Sequence, residues 1–141
     1  MKKIFATVVI VAMTALGLVA TTGGTASAAC PYSACIDTTT TPTAKEQIKV
    51  GKHGHVKVTV TASGNVLPTG SVTITVTRIK GGFTATKTKH YNGTQIKFKT
   101  AQIPKPGKYK VVAVYTPTAN SVFNGSTGTV KFKARKNHTN H

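Results

Sequence analysis

Short runs in which apolar residues alternate with lysine or threonine recur along this chain. HVKVTVTA at 55–62, IKFK at 96–99, KYKVVAVY at 108–115 and TVKFKAR at 129–135 are the clearest. Successive side chains of a β-strand point to opposite faces. The pattern therefore describes sheet with one apolar face and one lysine-studded face, and it leaves no helical period after residue 28. Glycine, proline and asparagine clusters separate the runs. The spacing predicts strands over 45–50, 55–62, 71–79, 83–91, 95–100, 108–115 and about 127–135, which makes an all-β sandwich of about seven antiparallel strands.

Local signals refine this reading. Gly51 to Gly54 break the first strand from the second. Lys87 and Lys89 mark 83–91 as an edge strand, since charge discourages pairing with another molecule. Asn92-Gly93 predicts a hairpin into 95–100. The core would draw on Val56, Val58, Val60, Val72, Ile74, Val76, Ile96, Phe98, Tyr109, Val111, Ala113, Val130 and Phe132. Residues 37–44 (DTTTTPTA) show no hydrophobic period and read as an extended linker.

The first residues carry a different pattern. Lys2 and Lys3 precede an apolar stretch over 4–20, and Ala26-Ser27-Ala28 forms an A-x-A cleavage pattern. This reads as a secretory signal peptide over 1–28, followed by a cysteine-containing arm and linker over 29–44, a sandwich over 45–136 and a polar tail over 137–141. The expected product is secreted and lacks a transmembrane segment after processing. Retention at the cell wall would then come from binding. Cys30 and Cys35 are the only cysteines. In an oxidising exterior they are expected to close a small disulfide ring, with pairing to another molecule as the alternative.

Nineteen Lys and Arg against two Asp and Glu give a formal charge of +17 at pH 7. Soluble surfaces ordinarily intersperse acids with bases. Uncompensated charge of this size repels itself and sets up a long-range field that attracts anions. Lys57, Lys97, Lys99, Lys108, Lys110, Lys131, Lys133 and Arg135 sit in the outward phase of the predicted strands and form the candidate polyanion-binding surface.

The scarcity of acids also argues against enzymes. Paired-carboxylate chemistry and a Ser-His-acid triad both need carboxylates in a site, and Asp37 and Glu46 lie in or beside the linker. Calcium would need acidic oxygen-rich loops. His53 and His55 form an H-x-H, which without further ligands reads as turn histidines, so neither metal nor cofactor is expected. The three Asn-x-Ser/Thr sequences, at Asn92, Asn124 and Asn137, read as turns. Two arginines and aromatics in core phase do not suit sequence-specific nucleic-acid reading, although charge alone predicts non-specific adsorption.

Two segments resemble a known family. Pro68-Thr69-Gly70-Ser71-Val72-Thr73-Ile74 resembles the PTG-[ST]-V-T signature of bacterial Ig-like repeat domains of the group 3 type. Pro106-Gly107-Lys108-Tyr109-Lys110-Val111, then Tyr115, then Phe123-Asn124-Gly125-Ser126 resembles its second block. The likeness runs from about residue 46 to 135 and implies an immunoglobulin-like sandwich. It also implies that Gly107 and Tyr109 form a tyrosine corner, with Val111 at the position of the second inter-sheet cysteine. The functional expectation is a non-enzymatic binding or structural module held at anionic cell-wall or extracellular polysaccharide. Two rivals are a cationic antimicrobial effector acting on anionic membranes and a partner-binding or inhibitor domain using the loop at 116–126.

Overall fold

The structure, a computed structural model, describes residues 32–137. The segment read as a signal peptide and Cys30 lie outside them. Eight strands follow one another: β1 (Thr38–Ala44), β2 (Gln47–Lys49), β3 (His53–Ala62), β4 (Gly70–Arg78), β5 (Thr84–Tyr91), β6 (Ile96–Gln102), β7 (Gly107–Pro117) and β8 (Ser126–Arg135). They form a three-stranded sheet, β1-β3-β6, and a five-stranded sheet, β2-β8-β7-β4-β5. The described residues are thus all-β and sandwich-like, with eight strands where about seven were expected. One pairing, β2 with β8, is parallel.

The extra strand is the threonine-rich stretch expected to be a linker. β1 pairs with β3 along its whole length, from Thr38 opposite Ala62 to Ala44 opposite Val56. Its inward residues are Thr40 and Pro42, too weakly apolar to register as alternation. Threonine nonetheless favours extended backbone, and proline, which donates no hydrogen bond, suits an edge strand. The buried Thr40 hydroxyl finds Ser126 Oγ at 2.7 Å, and Thr38 Oγ1 donates to the Asn124 carbonyl at 2.7 Å.

Both sheets contribute to one core. Val56, Val58, Val60 and Phe98 come from the smaller sheet, and Val72, Ile74, Val76, Tyr109, Val111, Ala113 and Phe132 from the larger. Ile96 and Val130 are only partly buried, whereas Ile48, Tyr91, Ile103, Tyr115, Phe123 and Ala134 are buried too. Each large aliphatic side chain so buried stabilises the fold by about 1.5–3 kcal/mol. Tyr109 and Phe132 stack at 5.1 Å between ring centroids, and Tyr91 meets Tyr115 edge-on at 6.0 Å.

Asn92-Gly93 does not close a hairpin. β5 belongs to the larger sheet and β6 to the smaller, so residues 92–95 carry the chain from one layer to the other. Gly93 takes φ +89°, and Asn92 Oδ1 accepts from the Thr94 hydroxyl at 2.7 Å. The same turn chemistry serves a sheet switch as readily as a hairpin. Gly54, expected in a break, lies inside β3. The Ile48 side chain occupies the space its Cβ would need, and its N–H donates to Thr100 Oγ1 at 2.8 Å.

Successive strands from β3 to β8 run in opposite directions across the molecule. Connections 63–69, 92–95 and 118–125 therefore gather at one end, and 79–83 and 103–106 at the other, beside residues 45–52.

Candidate polyanion-binding surface

Five of the eight candidate residues lie on the outer face of the larger sheet. Lys108 stands opposite Lys133 and Lys110 opposite Lys131 across β7 and β8. Arg135 is level with Lys49 of β2, so a sixth cation joins the group. All of these side chains are exposed. A shallow depression of about 340 Å³ beside them is lined by Thr77, Arg78, Ile79, Lys110 and Lys131.

Arg78 does not serve as a free cation. Its Nε and Nη2 donate to the Pro106 carbonyl at 3.2 and 3.0 Å, and Nη1 to the Gly81 carbonyl at 3.2 Å. The guanidinium thereby ties the two connections at that end. Gly107 sits at φ +136°, and a Cβ there would lie 3.3 Å from Arg78 Nε. Tyr109, two residues on, donates from its hydroxyl to the Lys105 carbonyl at 2.7 Å. Val111 is wholly buried between Val76 and Val130.

The other three candidates lie on the opposite side of the molecule. Lys57 of β3 stands opposite Lys97 of β6, and His55 opposite Lys99. A depression of about 240 Å³ next to them is lined by Thr43, Ala44, Lys45, His55 and Lys57. His53 Nδ1 lies 2.7 Å from the Thr100 carbonyl, which leaves that ring nitrogen engaged with backbone. Among the described residues no group of three or more His, Cys, Asp and Glu could hold a metal ion.

The expected single lysine face is therefore two faces. Alternation shows which residues of a strand point outward but not which strands share a sheet, and β6 pairs with β3 rather than with β5. Lys87 and Lys89 depart from the outward pattern altogether. They are level with Ile74 and Val72 and so sit in the inward phase of an edge strand. Lys89 Nζ donates to the Lys97 carbonyl at 2.6 Å and Lys87 Nζ to the Lys99 carbonyl at 3.3 Å.

Charge is also sorted along the molecule. Lys80 and Lys105 lie in the connections at the end that holds Lys45, Lys49 and Lys52, while residues 63–69, 92–95 and 118–125 contain no charged side chain. The far half of the larger sheet carries hydroxyl pairs instead, Thr73 with Thr88 at 2.8 Å and Thr75 with Thr86 at 3.4 Å. Asp37 belongs to the uncharged end, where it accepts from Asn124 Nδ2 at 2.8 Å. The lysine pairs thus face one another almost without counter-charge. Like charges directly opposite on a sheet destabilise it, and the same arrangement concentrates positive potential for an anion. Lys45 and Lys49 complete the two groups.

The loop at 116–126 is tied down. Ile36 N–H donates to the Val122 carbonyl at 2.8 Å and Asn124 N–H to the Ile36 carbonyl at 2.9 Å, and Phe123 is buried. Cys35 lies in the arm that makes these contacts; its expected partner Cys30 is outside the described residues. No described helix is long and apolar enough to cross a membrane.

No protein-family model matches the chain, and no curated protein does. Among solved structures, the β-glucosidase of Listeria innocua in complex with isofagomine is similar at 10% identity and a TM-score of 0.46, covering 72% of this chain and 16% of the glucosidase. The same enzyme in complex with glucose gives 9% identity and a TM-score of 0.46 over 70% of this chain and 16% of its own. The chain spans a small part of that enzyme's length, and a likeness this distant carries nothing about activity.

Proposed function

We propose that this protein is a secreted, non-enzymatic immunoglobulin-like module held at anionic polysaccharide of the cell envelope or extracellular matrix by its lysine-rich sheet surface. The observation that carries the reading is the set of cross-strand lysine pairs on the outer sheet faces, Lys57 with Lys97, Lys108 with Lys133 and Lys110 with Lys131, in a chain with two acids against nineteen bases. Such pairs cost stability, and an anionic polymer laid over them would turn repulsion into attraction.

Strand order supports the immunoglobulin-like part. With β3, β4, β6, β7 and β8 read as strands B, C, E, F and G, the C, F and G strands share one sheet and B and E the other, as in that architecture. The Tyr109 hydroxyl bond to a carbonyl four residues upstream has the form of a tyrosine corner. Export rests on the signal-like N-terminus and is checked by sequencing the N-terminus of the protein recovered from culture medium, where Ala29 should be first. The Cys30–Cys35 ring is checked by intact mass before and after reduction.

Binding of the purified protein to isolated cell walls and soluble anionic polysaccharide, measured across salt, tests the function. Release of condensed counterions makes such affinities fall linearly on a logarithmic salt scale. Retention that persists unchanged at high ionic strength, or no retention at low salt, would overturn the reading.

A further inference from the structure

The two lysine groups point in opposite directions, and we infer from this that one molecule engages two polyanion chains at once and so cross-links anionic polysaccharide. This rests on the binding reading above but asks something further of it. Lys57, Lys97 and Lys99 project from the outer face of the smaller sheet. Lys108, Lys110, Lys131 and Lys133 project from the outer face of the larger one.

Packed sheets lie about 10 Å apart, and an extended lysine reaches outward from each. A linear chain lying along one face therefore cannot touch the amines of the other. It would have to pass round an edge. On one side β1 lies against β8, joined by the Thr40 and Ser126 hydroxyls at 2.7 Å. On the other side Lys87 and Lys89, exposed, donate to β6 carbonyls beside a depression of about 270 Å³ lined by Ile74, Val76, Lys87 and Lys99. Each face instead offers its own row of cations and its own shallow depression, one beside Lys57 and one beside Lys110.

The partner is a flexible linear polysaccharide with anionic groups at regular intervals. Lysine is a point charge that serves carboxylate and phosphate alike, so the test runs a polyuronate and a phosphate-bearing linear polysaccharide in parallel. Two faces joined in one rigid body act multivalently, so joining chains needs no contact beyond those of simple binding.

The experiment measures binding by co-sedimentation and cross-linking by light scattering as protein is titrated into each polymer. Scattering should rise, peak and fall again as excess protein covers each chain separately. The variant Lys57→Gln/Lys97→Gln/Lys99→Gln should still bind through the larger sheet but scatter at least about tenfold less, since it has lost one of its two valences. A charge-matched variant, Lys52→Gln/Lys105→Gln/Lys136→Gln, spares both faces and should scatter as the parent does. Equal scattering from both variants, or equal loss in both, would show that net charge alone governs association and would overturn the inference. Binding without scattering by the parent would overturn it too while leaving the proposed function intact; absence of binding would remove both. A response to one polymer alone identifies the anion. Cross-linking of double-stranded DNA with both polysaccharides left dispersed would overturn the choice of partner.

Discussion

Lys89 Nζ lies 2.6 Å from the carbonyl oxygen of Lys97, joining the open edges of two different sheets. Lys87 repeats the contact with Lys99, and the Lys89 amine also stands 5.6 Å from the Phe98 ring centroid. Inward-pointing charge on an edge strand is a recognised device against strand addition. Here it guards β5 and β6 together. Lys87→Val/Lys89→Val should fold yet self-associate as concentration rises at physiological salt. Sedimentation velocity would show the shift, and a double variant that stays monomeric throughout would refute the guarding role.

Tyr91 and Tyr109 should respond differently to loss of their hydroxyls. Tyr91 OH donates to the Val60 carbonyl at 3.1 Å and accepts from the Val60 N–H at 2.9 Å. It takes over where β6 has run out, since Ile96 opposite Val58 is the last pair of that ladder. Tyr91→Phe strands two buried backbone groups and should cost about 2–4 kcal/mol, against about 1 kcal/mol for the single bond lost in Tyr109→Phe. Urea unfolding of both variants checks the order, and equal losses would contradict it.

Burial, and then the neighbouring Tyr91, push the Tyr115 phenol up from 10.0 to about 12. Its hydroxyl donates to the Thr69 carbonyl at 2.7 Å. A raised pKa means that the folded state holds its proton longer than the unfolded chain does. The associated stability is complete below pH 10 and is lost as pH rises toward 12. The informative quantity is the difference between the parent and Tyr115→Phe, in which everything the two proteins share cancels. Melting temperatures from pH 9 to 12 should converge as the parent loses its advantage. A constant gap would exclude the linkage.

Strand identity was legible wherever valine, isoleucine or phenylalanine held the inward phase, as in β3, β4 and β7. It failed where threonine and proline took that role in β1, because the burial of Thr40 depends on Ser126, eighty-six residues away. Sheet membership was not legible at all, since Asn92-Gly93 suits a hairpin and a layer switch equally. The division of the candidate lysines between two faces follows from that one ambiguity. The uneven charge of the connections, by contrast, was written in the chain. Strands that reverse at every turn place alternate connections at the same end, and Lys80 and Lys105 fall in one set of connections while 63–69, 92–95 and 118–125 carry no charge.

Lys57 and Lys97 face each other with like charge, which sets stability against function. Lys97→Glu replaces that repulsion with attraction and should stabilise the fold by about 0.2–1 kcal/mol. The same change should weaken binding to anionic polysaccharide, with the larger effect at low salt. Denaturant unfolding and a binding isotherm on one preparation decide the matter. Stability and affinity that fall together would show that Lys97 serves the fold rather than the ligand.

Gly128 marks where β1 crosses β8. A Cβ at this position would run into the Thr40 carbonyl oxygen and the Pro42 ring, and the first of these is backbone that cannot turn aside. Gly128→Val therefore has to push β1 away from the larger sheet, which also separates Thr40 from Ser126 and uncovers the core along that edge. Overpacking of this kind costs about 1–3 kcal/mol. Thr129→Val, one residue along and exposed, should stay within about 0.5 kcal/mol of the parent. Hydrogen exchange distinguishes local from global damage. In Gly128→Val the amides of 38–44 should lose protection while those of β4 and β7 keep it. If β1 were only a linker resting on the surface, its amides would exchange freely in the parent as well, and the valine would change nothing.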